Sequence, residues 1–251
     1  MADNVTNQKT ILITRPAEDA DELQHKLEAR GYAVISSPVI EINTTRPTTD
    51  PATQISANDV YAFTSANGVR AAAHYHLPKR HAFAVGPATY NCCQEFGFEA
   101  SQAEGDVAAL ADLIAASAQQ GLILDEAVIW HIAGRDKAGD LIGALTQKGL
   151  MAQALNLYQA QASAGFTPSA LAALAQNDIS AVMLYSKRSA QIFFDLVEAQ
   201  NLMENLRQQD LAFLCLSSNV AEICRDAGFH QLYVAPTPDE EALLNCLDAL
   251  S

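Results

Sequence analysis

Long apolar runs are missing from this chain. No stretch of 18 or more apolar residues occurs, so no helical membrane span is expected. The opening residues, Met1 to Thr10, are polar and lack the apolar core of a secretory signal. Cysteines are few and odd in number, five, with no Cys-x-x-Cys pair; buried free thiols in a reducing cytoplasm are expected, and a zinc site is not. Positive charge is scarce as well: 15 Lys and Arg stand against 29 Asp and Glu, a net −14. Such a surface repels nucleic acid and anionic membranes, and repels an anionic small substrate unless the cations are gathered in one place. Cofactor signatures are also lacking. No GxGxxG follows a strand-like run, and no Gly-x-Ser-x-Gly elbow is present. The run Ala133-Gly134-Arg135-Asp136-Lys137-Ala138-Gly139 has phosphate-loop glycines without the closing Gly-Lys-Ser/Thr. His74, His76 and His81 cluster without a carboxylate or cysteine pattern, so neither metal nor cofactor is expected.

What the chain does have is apolar content, 49%, and internal repetition. Four units occur and recur in the same order 117 to 133 positions later. Ile11-Leu12-Ile13-Thr14-Arg15-Pro16, with a helical pattern closed by Gly31, returns as Val128-Ile129-Trp130-His131-Ile132-Ala133-Gly134-Arg135-Asp136, closed by Gly149. Val60 to Val69, centred on Phe63-Thr64-Ser65, returns as Val182 to Ala190, centred on Tyr185-Ser186-Lys187-Arg188. Phe83-Ala84-Val85-Gly86-Pro87-Ala88-Thr89, ending at Gly97-Phe98, returns as Leu214-Cys215-Leu216-Ser217-Ser218-Asn219-Val220, ending at Gly228-Phe229. A helix opened by Asp106 returns as one opened by Asp239. Duplicated strand–helix units predict an α/β fold with parallel sheets covered by helices on both faces. Val34 to Ile42 and Ala154 to Ala160 are further candidate strands, one in each half, and Asn43 to Asn58 reads as a loop or linker.

Ligands of such sheets bind at the loops leaving the carboxyl ends of the strands, here at Arg15, Thr64, Gly86, Arg135, Ser186 and Ser217. Arg15, Arg70, Arg135, Lys137, Lys187 and Arg188 lie on or just after those loops. Gathered there, they make a basic pocket in an acidic protein, aided by helix N-termini that favour carboxylates or phosphates; scattered, they are solvated surface charges. The Ser and Thr residues of the same loops either bind anions or cap the helices that follow.

Ile13-Thr14-Arg15-Pro16, Phe63-Thr64-Ser65-Ala66-Asn67-Gly68-Val69, Val85-Gly86-Pro87-Ala88-Thr89 and Leu157-Tyr158 together resemble the uroporphyrinogen-III synthase family, from about Ile11 to Leu247. The resemblance implies two flavodoxin-like lobes, residues 1–42 plus 160–251 and residues 43–159, joined by a two-stranded ladder around Val39 and Leu157, with the working cleft between them. It implies a lyase of haem biosynthesis that closes linear hydroxymethylbilane, a tetrapyrrole polycarboxylate, into a ring with inversion of the last pyrrole. No cofactor, membrane or nucleic acid is implied; a single joining ladder predicts a monomer. Tyr158 is the candidate acid for the departing hydroxyl, since phenols titrate near ~10 and are protonated at neutral pH; the alternative is a packing role. Candidate substrate-binding residues are Arg15, Thr64, Ser65, Asn67, Gly86, Thr89, Arg135, Ser186, Lys187, Arg188, Ser217 and Ser218. The second-half turns depart from the family pattern, at Tyr185-Ser186-Lys187-Arg188-Ser189 and Ser217-Ser218-Asn219-Val220. The rival readings are a non-catalytic two-lobed anion-binding module and an enzyme of sugar phosphates or nucleotides.

Overall fold

The computed structural model describes residues 8–45, 47–135 and 139–250. The chain opens with β1 (Thr10–Ile13), α1 (Ala20–Ala29), β2 (Ala33–Ser36) and β3 (Ile40–Thr44). There follow β4 (Val60–Phe63), α2 (Ala66–His74), β5 (Ala82–Val85), α3 (Gly86–Glu95), β6 (Ala100–Ala103) and α4 (Val107–Gln119). Next come β7 (Ile129–Gly134), α5 (Leu141–Gln147), β8 (Ala152–Ala162) and α6 (Pro168–Gln176). The chain closes with β9 (Ala181–Leu184), α7 (Lys187–Ala199), α8 (Met203–Arg207), β10 (Ala212–Cys215), α9 (Ser218–Asp226), β11 (Leu232–Val234) and α10 (Glu240–Asn245). Two compact units result: Met1–Glu41 with Gln161–Ser251, and Ile42–Ala160.

The first unit holds a five-stranded sheet in the order β11-β10-β9-β1-β2, with its strand pairs parallel. Its strands are near-continuous apolar runs, as a sheet buried on both faces requires. Leu12, Val182, Leu184 and Phe213 face a core closed by α6, α7 and α9. Ile11, Ile13, Met183 and Leu214 face the opposite core, closed by α1 and α10. In the second unit the order is β3-β8-β7-β4-β5-β6. Tyr61, Phe63, Trp130 and Ile132 pack under α2 and α3. Val60, Ala62, Phe83 and Ile129 pack under α4 and α5.

The repeat is visible in the topology. Matching β7, β8, β4, β5 and β6 with β1, β2, β9, β10 and β11 gives both sheets one and the same order, the 2-1-3-4-5 of flavodoxin-like folds. Each sheet therefore takes its first strand–helix unit from one half of the chain and the others from the other half. The predicted helix ends also recur in pairs: Gly31 with Gly149 and Gly97 with Gly228 all have positive φ, the left-handed backbone that closes a helix.

One sequence expectation changes. Val34 to Ile42 is not one strand, because Ser37 and Pro38 interrupt it; proline donates no ladder hydrogen bond. The break lets β2 finish one sheet and β3 enter the other. The joining ladder is the β3–β8 pair, and it forms the edge of the six-stranded sheet. The Thr45 N–H donates to the Leu157 carbonyl and the Ser163 N–H to the Val39 carbonyl, so the two strands run antiparallel.

At the amino end of the second sheet, Asp59 is 4% exposed. Its carboxylate accepts from the Ser56 N–H (2.8 Å), the Val128 N–H (3.0 Å) and the Trp130 indole N–H (2.8 Å). Burial pushes this carboxyl up, but the three donors and the charge of Arg80 outweigh it and hold its pKa below the ordinary value.

Candidate functional site

In a doubly wound sheet the strand order reverses at one point, and there the loops part to leave a ligand crevice. These points lie between β1 and β9 in the first unit and between β7 and β4 in the second.

At the second unit's reversal, β4 is followed by Thr64 and Ser65, both half-buried. The two side chains point to opposite faces. Thr64 Oγ1 lies 3.0 Å from His131 Nε2. Ser65 Oγ lies 2.9 Å from the Tyr158 hydroxyl. Ser65 stands at the N-cap of α2 yet makes no capping bond with its side chain, because the hydroxyl is turned to Tyr158.

A β-bulge aims Tyr158. Ala133 pairs with Asn156 but Gly134 pairs with Tyr158, leaving Leu157 as an extra residue. Without the bulge, strand alternation sets Tyr158 on the face opposite Leu155 and Leu157; with it, Tyr158 packs against the same core cluster as both. Gly134 completes the placement. A Cβ built on it falls 2.9 Å from the Tyr158 ring, so only glycine lets the phenol lie across β7. The Arg135 N–H donates to the Tyr158 carbonyl at 3.0 Å, and the Arg135 side chain is exposed.

Other predicted residues lie on α2 and on α3, the helix after the neighbouring β5. Arg70 donates to Asn67 Oδ1 at 2.9 Å within the first turns of α2. Gly86 has φ +69 and opens α3 directly from β5, without a side-chain cap. Thr89 is different: it is buried on α3, 5% exposed, rather than displayed on the loop. His131, 3% exposed, was not singled out by sequence reading. Its signal is a lone ionisable residue in the otherwise apolar β7, three places before the strand end.

At the first unit's reversal, Thr14 donates to the Met183 carbonyl at 2.7 Å and ties β1 to β9. Arg15 is not an open cation. Its guanidinium pairs with Glu240 at 2.5 Å, stands 3.8 Å from Asp19, and lies 4.6 Å above the Tyr185 ring. Glu240 accepts on its other oxygen from Lys26 at 2.7 Å. The hydrogen bonds that Lys26 donates to Glu22 and Glu240 raise its pKa. The Tyr185 hydroxyl is buried without a hydrogen-bond partner among the described residues, and burial raises its pKa.

Ser186 forms a capping box with Ser189, so its hydroxyl serves α7. Ser217 stands at the N-cap of α9 without a side-chain cap bond, and Ser218 is exposed beside it. Lys187 lies 3.7 Å from Glu222, and Arg188 is exposed. Lys137 and the centre of the phosphate-loop-like run lie outside the described residues.

The helices at the carboxyl edges thus fall into two sets. Asp106, Asp140, Ser186 and Asp239 cap α4, α5, α7 and α10 with their side chains. α2, α3 and α9, which follow β4, β5 and β10 directly, have no such cap. Their first-turn N–H groups face the strand-end loops with positive dipole ends, a setting that suits carboxylates.

Four of the five cysteines are buried free thiols, and Cys246 is half-buried. Burial pushes the Cys93 thiol up to about 12. His81 approaches Ser101 Oγ at 3.0 Å, and His74 stacks edge-on against Tyr75. No helix among the described residues is long and apolar enough to cross a membrane.

Comparison with known proteins agrees with this architecture. The family model described as uroporphyrinogen-III synthase HemD matches residues 21–245. Uroporphyrinogen-III synthetase from Helicobacter pylori superposes with a TM-score of 0.61 at 15% identity, over 97% of this chain and 100% of that one. A mutant uroporphyrinogen III synthase from Thermus thermophilus gives 0.52 at 17% identity, over 96% and 98%. At these identities the structural likeness establishes the fold alone. No curated protein sequence matches significantly.

Proposed function

The chain belongs to the uroporphyrinogen-III synthase family, enzymes of tetrapyrrole biosynthesis that cyclise hydroxymethylbilane, and from that premise we propose that its strand-end loops hold the substrate while Tyr158 assists loss of the hydroxyl. The family match carries the reaction. The Ser65–Tyr158 contact carries the assignment of the acid. With Ser65 as donor to the phenol oxygen, the Tyr158 proton is left to point at the substrate.

Loss of the hydroxymethyl oxygen leaves an azafulvene cation. Attack by the substituted carbon of ring D gives a spiro centre, and fragmentation with re-closure inverts that ring. The substrate supplies the electrons, so the protein's work is to hold one carbon in reach and keep the wrong one out. Many carboxylates anchor the chain for this. The uncapped first turns of α2, α3 and α9 supply N–H donors. Thr64, Ser65, Asn67, Gly86, Ser217 and Ser218 lie on or beside those turns, and Arg15, Arg135, Lys187 and Arg188 add charge. Ser186 is a weaker candidate, because its hydroxyl is engaged in a cap, and Thr89 contributes from a buried position. The protein acts in this reading as a cytoplasmic monomer without nucleic-acid partners, in keeping with its net −14.

The test is a coupled assay. Hydroxymethylbilane is generated in the presence of the purified protein, and the porphyrin isomers are separated after oxidation. Dominance of isomer III over the spontaneous isomer I is the expected result. Isomer I alone, from folded protein, would leave an anion-binding module as the better description.

A further inference from the structure

The first unit's reversal point holds a charge arrangement that its duplicate lacks. Arg15, at the end of β1, does not face solvent with its charge unmet: one Glu240 oxygen takes its guanidinium and the other takes Lys26 Nζ. Arg15 and Glu240 are each 26% exposed at the side chain, so the pair is reachable from solvent. Asp19 and Glu22 stand at the edge of the same group. Three carboxylates against two cations leave the cluster net negative, which repels an incoming carboxylate unless one of the three gives way.

Glu240 is not there to start its helix. The cap of α10 is Asp239, which accepts from the Ala242 N–H at 2.8 Å. The duplicate helix α4 is capped in the same way by Asp106, and the residue after that cap is Val107. The capping residue is therefore shared by the two copies, and each has an arginine just past the matching strand, Arg15 after β1 and Arg135 after β7, but only the copy with Arg15 has a carboxylate after the cap.

We propose that Glu240 is a resident carboxylate that occupies the Arg15 subsite in the substrate-free enzyme and is exchanged for a substrate carboxylate on binding. The proposal rests on the reading above, in which Arg15 belongs to the substrate-binding edge. Lys26 eases the exchange: when substrate takes Arg15, Glu240 keeps a cation at 2.7 Å and is not stranded. The Tyr185 ring under the guanidinium holds Arg15 in place through the exchange. The consequence is selectivity. A neutral pyrrole chain gains nothing from Arg15, because it has no anion to offer in return, whereas a polycarboxylate faces only the difference between two carboxylates.

The experiment measures KM for hydroxymethylbilane, and calorimetric binding of uroporphyrinogen III under anaerobic conditions, for Glu240→Gln, Arg15→Ala, the double variant and Lys26→Met. Glu240→Gln is expected to tighten binding about three- to tenfold, in KM rather than kcat, with the gain shrinking in high salt. The gain should vanish in the double variant, the mark of coupling through Arg15. Lys26→Met should weaken binding, since it strands Glu240 once Arg15 is taken. Thermal melts accompany each variant, and if Glu240→Gln fails to fold, Lys26→Met decides alone. If Arg15→Ala weakens binding but Glu240→Gln does not tighten it, the exchange is wrong and the Arg15 reading stands. If Arg15→Ala leaves binding unchanged, both fall.

Discussion

At the scale of single residues, the second unit's reversal point depends on where one phenol lies. Tyr158→Phe is expected to lower kcat about a hundredfold, the lower end of the range for a lost general acid, while the melting temperature barely moves. Steady-state kinetics beside a thermal melt checks it, and an unchanged kcat removes Tyr158 from the acid role. Gly134→Ala is a sharper probe because it leaves both hydroxyls in place. Its methyl would meet the Tyr158 ring at 2.9 Å, so the ring must shift away from Ser65, and kcat should fall with the phenol still present. The resemblance to a family already pointed to Tyr158, Thr64 and Ser65 in the sequence. It did not reveal that Ser65 and Tyr158 touch, because the β-bulge at Leu157 is a tertiary event: strand alternation places Tyr158 on the other face. His131 was missed for a related reason, since its partner Thr64 is 67 positions away. The gathering of cations fared differently again. Arg15 was correctly set on a strand-end loop, but the carboxylate that meets it comes from 225 positions downstream, and no local pattern announces it.

At the scale of elements, the caps and stops of helices were readable because they are local. Asp106 and Asp239 cap α4 and α10 through their own side chains, as their places before apolar periodic runs implied. α6 was overlooked although it opens with Thr167-Pro168, a cap followed by a first-position proline. Packing between elements yields two predictions. Gly68 lets α2 lie against β7: a Cβ there would stand 2.6 Å from the Ile132 carbonyl oxygen. Backbone cannot swing aside, so Gly68→Ala should destabilise by about 2 kcal/mol, in the range of overpacked cores, measured by urea denaturation. Asp59, bonded to three donors around β4 and β7, predicts a pH dependence. Its folded-state pKa lies below the unfolded value. The stability it contributes is therefore fully present above the unfolded pKa of about 4 and is lost as pH falls through the lower, folded value. Asp59→Asn should lose less stability than the parent between pH 6 and pH 3, in denaturant titrations at the two pH values; equal losses would rule the staple out.

At the scale of the whole molecule, the duplicated order of strands was legible as four recurring sequence units, and the exchange of first units between sheets was not. Nothing local distinguishes β1 pairing with β9 from β1 pairing with β4; only the resemblance implied it. The net charge of −14 sets a further expectation. Substrate capture must work against a repulsive far field, so kcat/KM should rise as salt screens that field, before direct contacts weaken at higher salt. A monotonic fall from the lowest salt would show that local cations dominate from the start. The exchanged strand order also has a consequence for how the protein is made. Ile42–Ala160 is continuous in sequence and holds all its strand partners except the start of β3, which is synthesised earlier still, and the last two residues of β8. It can close as soon as its last residue leaves the ribosome. β1, made before the other ten strands, sits between β2 and β9, so its apolar edge waits unpaired until Ala181–Leu184 emerges. The earliest of these strands is thus completed late, and a chaperone that shields exposed strands during translation should raise the yield of folded enzyme more than one added after release.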